Sequence, residues 1–164
     1  MRPYFLCLIT ALFVSMGITP QICAGQAATW TKQFESTFSA SGKVGNLSFM
    51  YPKQFEQSET TMGIFLEADG IYGRIDIGST GVRTKEAVTE LLVTKQGGKS
   101  ISESVVNGHT VFASTSMQGE EICRTYIVVP KGSNDGPLYL QFRWKAKNPV
   151  DYTPMLDGIV ATMK

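Results

Sequence analysis

The stretch Leu138–Lys145 alternates without a break: Leu138, Leu140, Phe142 and Trp144 are apolar, and Tyr139, Gln141, Arg143 and Lys145 stand between them. A period of two marks a strand with one buried face. Two further strands precede it, His109–Gln118 and Ile122–Val129, linked by Gly119–Glu121 and by the loop Pro130–Pro137. Folding the last two about that loop with Val129 opposite Leu138 sets Cys123 opposite Trp144. Cys123, Thr125, Ile127 and Val129 then share a face with the apolar set of the third strand, and Val111, Ala113 and Met117 join them. A slip of one residue would exchange the two faces, so the coincidence of apolar sets gives the expected register.

Around this meander the chain reads as more strands and two helices. Asn46–Tyr51 is a short strand stopped by Pro52. Met62–Ala68 and Ile71–Gly78 form a hairpin about Asp69-Gly70, a dipeptide favoured where both turn residues need positive φ. Thr84–Gln96 reads as a helix: Thr84 is a fitting N-cap, Val88, Leu91, Leu92 and Lys95 share a stripe, and Gly97-Gly98 closes it. Lys99–Val106 turns at Asn107-Gly108 into the meander. A final helix, Asp151–Met163, carries Tyr152, Met155, Leu156, Ile159, Val160 and Met163 on one side. The order predicts a single α+β domain with an antiparallel sheet flanked by helices. Residues 28–45, with Trp30, Phe34 and Phe38 at helical spacing among Thr and Ser, read as a lead-in to a body spanning 46–164.

The beginning of the chain points to export. A basic start, Met1–Tyr4, precedes the apolar run Phe5–Ile18, and small residues follow at Ala24 and Ala27. The run is shorter than the ~20 residues of a spanning helix. Residues 1–27 therefore read as a signal peptide, cleaved after Ala24 or Ala27, leaving a secreted or periplasmic protein without an integral membrane segment. The whole chain has 15 basic and 14 acidic residues. Arg2 leaves with the leader, so the remainder has 14 of each and no basic run, which argues against nucleic acid as a partner. Cys7 and Cys23 leave too, so Cys123 stands alone and no disulfide framework is expected.

Several short segments resemble PsbP-like domains. Ser48-Phe49-Met50-Tyr51-Pro52-Lys53 is similar to their opening strand, and Val106-Asn107-Gly108-His109 to a later turn. Tyr126-Ile127-Val128-Val129-Pro130-Lys131-Gly132 is similar to their central strand and loop. Tyr152-Thr153-Pro154-Met155-Leu156 and Ile159 resemble their closing helix. The superfamily includes photosystem II extrinsic proteins and bacterial envelope proteins such as DcrB. The resemblance implies an α/β/α sandwich of PsbP-like type, and a binding or assembly role with no shared catalytic motif to carry over.

Nothing in the residues announces catalysis. His109 is the only histidine, too few for a zinc set with one mature cysteine, and it reads as a structural strand-end residue. Cys123 reads as a small core residue. No Gly-x-Ser-x-Gly elbow occurs, and Gly78-Ser79-Thr80-Gly81, with Arg83 nearby, offers only a loop that could cradle an anion. No metal or cofactor is implied. The expected function is a non-catalytic envelope module that binds a protein or small ligand, with a small secreted hydrolase as the alternative. Under the expected register, Arg124 lies opposite Arg143 and Tyr126 opposite Gln141, with Tyr139 alongside. Arg124, Tyr126, Tyr139 and Arg143 thus form one face suited to an acidic or carboxylate-bearing partner. The competing account has the arginines meeting solvent or acids of the closing helix, Asp151 or Asp157.

Overall fold

The computed structural model describes residues 38–164 except 62, 79, 80, 133 and 135. The proposed signal peptide, Trp30, Phe34 and part of the Gly78–Gly81 loop lie outside the described residues. Among the described residues nine strands are seen: β1 Phe38–Val44, β2 Leu47–Pro52, β3 Glu56–Glu59, β4 Gly63–Ala68, β5 Ile71–Ile77, β6 Ile101–Val106, β7 His109–Gln118, β8 Glu121–Val129 and β9 Leu138–Lys145. A helix α1, Lys85–Thr89, runs on as one π-helical stretch, Glu90–Lys95, and helix α2 spans Thr153–Ala161. Strands β3-β4-β5-β9-β8-β7-β6 form a seven-stranded sheet whose neighbours all pair antiparallel, and β1-β2 form a separate hairpin.

This corrects the expected α/β/α sandwich. The described residues are mainly strand, and the two helices are too short to layer both faces of a seven-stranded sheet. One face is covered jointly by the β1–β2 hairpin and α2. Its core joins Phe49 and Tyr51 of β2 to Leu66, Ile75, Leu140, Phe142 and Trp144 of the sheet and to Leu156 and Ile159 of α2. Among the described residues the other face carries α1 and its π extension, whose Val88 and Leu92 bury Phe112 and Ile127.

Strand β1 falls inside the segment read as a lead-in. Its inward residues are Phe38, Ala40, Gly42 and Val44, and small side chains hide the alternation. They are small because the hairpin is tight. A Cβ on Gly42 would stand 2.7 Å from the Phe49 ring, and one on Gly158 of α2 would meet the Phe38 ring at 3.0 Å. Backbone bonds between Ser48 and Lys164, both at 3.0 Å, tie β2 to the chain's last residue.

The turns follow local chemistry with one exception. Asn107 and Gly108 both have positive φ, 50° and 86°, as a tight primed turn demands. At Asp69-Gly70 only Gly70 does, with φ 78°, so that turn is of another type. Thr84 caps α1 as expected, its hydroxyl accepting the Ala87 N–H at 3.3 Å.

The expected register of β8 against β9 is off by one. Val128, not Val129, stands opposite Leu138, and Cys123 stands opposite Arg143, with Ile122 opposite Trp144. Val111 and Ala113 do lie on the core face with Leu140 and Phe142. The error has a physical source. Strand β8 is buried on both sides, Tyr126 and Val128 in one core and Ile127 in the other, so its apolar parity cannot choose a register.

Candidate binding site

The corrected register divides the four residues expected to share a face. Arg124 and Tyr126 point to the α2 side, and Tyr139 and Arg143 to the α1 side.

On the α2 side, Tyr126 is buried and its hydroxyl donates to Asp157 Oδ1 at 2.5 Å. Arg124 Nη2 donates to the same oxygen at 3.3 Å, and Nη1 to Thr115 Oγ1 at 3.1 Å. The guanidinium carbon lies 4.8 Å from the centre of the Tyr126 ring. Burial pushes the Tyr126 phenol well above its ordinary range. Arg124 and Tyr126 thus meet an acid of the closing helix, one of the two acids named for that role.

On the α1 side, a polar chain runs across the sheet. Gln96 Nε2 donates to the Tyr139 hydroxyl at 2.7 Å, Gln141 Nε2 donates to the same oxygen at 3.0 Å, and Arg143 Nη2 donates to Gln141 Oε1 at 2.8 Å. Burial raises the Tyr139 phenol as well. Beside this chain lie exposed Tyr72 and Phe65, with the Arg74 guanidinium 5.9 Å from the Phe65 ring and paired to Asp76. This face carries charge of both signs at short range, since Glu67 stands opposite Tyr72.

A different arrangement appears where β7 outruns β6. A cavity of about 510 Å³ opens there, with Lys99, Ser102, Thr115, Met117, Ile122 and Arg124 among its lining residues. Lys99 and Arg124 are the only charged side chains among the described residues that line it, and both are basic. Thr115 and Ser102 add hydroxyls, and Met117 and Ile122 an apolar wall. Lys99 is exposed and forms no ion pair among the described residues. Arg124 Nε is buried without a hydrogen-bond partner.

The notch follows from local sequence. Gly97 takes φ 71°, which turns the chain out of the π-helical stretch. Gly98 then bonds Leu92 C=O at 2.9 Å, and a Cβ there would stand 2.3 Å from the Ser114 hydroxyl. Beyond one long backbone bond from Lys99 to Thr115, regular pairing with β7 therefore begins only at Ser114, opposite Ile101. Of the four residues expected to bind, the notch contains Arg124 alone. Lys99 and Met117 were missed, because neither sits in a motif and only the mismatch in strand length brings them together.

The remaining candidates are structural in their contacts. His109 Nδ1 accepts the Lys131 N–H at 3.1 Å, a strand-end contact. Cys123 is fully buried and unpaired, 3.8 Å from Thr125 Oγ1. No helix among the described residues is long and apolar enough to cross a membrane.

No protein-family model and no curated protein matches the chain. The chain is similar in fold to a crystal structure of a protein from Bacteroides thetaiotaomicron VPI-5482, at 16% identity and a TM-score of 0.51. The match covers 72% of this chain but 44% of that one, so the shared fold spans less than half of that protein's length.

Proposed function

We propose that the protein is a secreted or periplasmic binding module without catalysis of its own, and that it takes a carboxylate-bearing partner in the notch at the end of β7. One observation carries this reading: the two charged residues lining the cavity, Lys99 and Arg124, are both cationic, with hydroxyls and an apolar wall beside them. A carboxylate there gains charge-assisted hydrogen bonds and an unpaired ammonium to neutralise. The segments that resemble PsbP-like domains, with their binding or assembly role, support the same class of function. The hydrolase alternative has less behind it, since the one histidine sits at a strand end with its Nδ1 taken by the Lys131 backbone N–H.

Calorimetric titration with acetyl-Leu-Glu-Leu-amide, against its Gln counterpart, tests the proposal. The acid is expected to bind and the amide to bind at least about tenfold more weakly, a difference of roughly 1.4 kcal/mol. Lys99→Gln is expected to abolish the preference. Equal affinity for both peptides, or a preference lost only in Arg143→Gln, contradicts the proposal.

A further inference from the structure

We infer that the occupant of the notch is an extended peptide that adds a strand to the free edge of β7; this rests on the carboxylate-binding reading above. Strand β7 has ten residues and β6 only six. Their pairing runs from Val106↔His109 to Ile101↔Ser114. Past it a single long backbone bond, Lys99 N–H to Thr115 C=O at 3.5 Å, ends the contact on that side.

Backbone direction alternates along a strand, so the orientation of Thr115 sets that of the residues after it. Its carbonyl points away from β8, and so do the N–H and C=O of Met117, two residues on. Met117 stands opposite Ile122 on the β8 side, and its outward groups have no neighbouring strand among the described residues. Met117 is 53% exposed. An incoming strand can take both backbone groups of Met117 and rest an apolar residue on its side chain. The alternate positions of that strand face the cavity, where Lys99 meets a carboxylate. This is strand addition, with backbone bonds giving affinity and the cavity giving selectivity.

The other edges of the sheet discourage the same event. Strand β3 carries Glu56 and Glu59 and is exposed throughout, and Glu103 sits on β6. Charged residues on an edge oppose pairing with another chain. The free end of β7 offers Thr115, Ser116, Met117 and Gln118 instead, a stretch with no charge.

The carboxylate could belong to an Asp or Glu side chain or to a peptide C-terminus. A synthetic library of eight-residue peptides, screened against the full chain, separates these. One arm has free C-termini and no acids, and the other is amidated with a fixed central Asp. The inference expects binders in one arm that weaken at least tenfold with Lys99→Gln. They must weaken as much when the peptide amide facing Met117 is N-methylated, and when Met117→Pro removes the outward N–H without breaking a β7–β8 bond. Lys99-dependent binding that survives both backbone changes overturns strand addition and leaves the carboxylate site standing. No binder in either arm, or binders indifferent to Lys99→Gln, overturns both. Should Met117→Pro fail to fold, the N-methylated peptides still decide.

Discussion

The hydroxyl of Tyr126, in the middle of β8, donates to Asp157 of α2 at 2.5 Å, and Arg124 shares the same carboxylate oxygen. The closing helix is therefore fastened to the sheet by a polar lock at the rim of an otherwise apolar core. Asp157 is 53% exposed at its side chain, so water weakens the ion pair and the buried phenol is the stronger half. Tyr126→Phe and Asp157→Ala are each expected to lose about 1 kcal/mol. Because they break one contact, the double variant should lose less than the sum. Urea unfolding of the four proteins measures this, and strict additivity would show that the two side chains act independently.

The same phenol makes the protein sensitive to alkali. Burial raises Tyr126 and, in the α1 core, Tyr139 above the ordinary tyrosine value. Below about pH 10, both folded and unfolded chains keep these protons and nothing changes. Above it the unfolded chain releases them first, so unfolding becomes more favourable as pH rises toward the folded values. Melting temperature should fall above about pH 10, and Tyr126→Phe should show a shallower fall. An identical slope in the variant would place the loss elsewhere.

Strand β5 depends on a missing side chain. A Cβ on Gly73 would stand 2.2 Å from the ring of Phe142, which is fully buried. Gly73→Ala is expected to destabilise by ~1–3 kcal/mol through overpacking. Gly136→Ala is a useful comparison, because there the obstruction is the Gly78 carbonyl at 2.2 Å, backbone that cannot swing away. Denaturant midpoints of the two variants report both effects. Wild-type stability in Gly73→Ala would mean that the Phe142 ring has room to move.

Cys123 offers a probe of the α1 side of β8. It is fully buried opposite Arg143, with Ser116 across the other neighbour. The thiol should resist a water-soluble reagent in the folded protein and react on unfolding. Fast labelling of the native state would contradict its burial.

Strand β9 was legible in the sequence because only one of its faces is apolar, and its four inward residues are all buried. Strand β8 was legible as a strand but not in register, since Ile127 on one side and Tyr126 and Val128 on the other are equally buried. That one-residue error placed Arg124 and Arg143 together when the sheet separates them. Strand β3, Glu56-Gln57-Ser58-Glu59, has no apolar residue and is held by backbone pairing to β4 and by the Tyr51 hydroxyl, which donates to Gln57 Oε1 at 2.7 Å; no pattern of side chains announces it. The notch was illegible for a related reason: it arises because β6 is shorter than β7, a property of pairing and not of either segment.

The most direct test is to map backbone amide shifts while acetyl-Leu-Glu-Leu-amide is titrated into the labelled protein. Saturable shifts are expected at Lys99, Ser100, Thr115 and Met117, lost in Lys99→Gln, with Tyr72, Arg74 and Arg143 unmoved. Shifts gathered on Tyr72, Arg74, Gln141 and Arg143, with the end of β7 silent, would contradict it and move the site to the opposite face of the sheet.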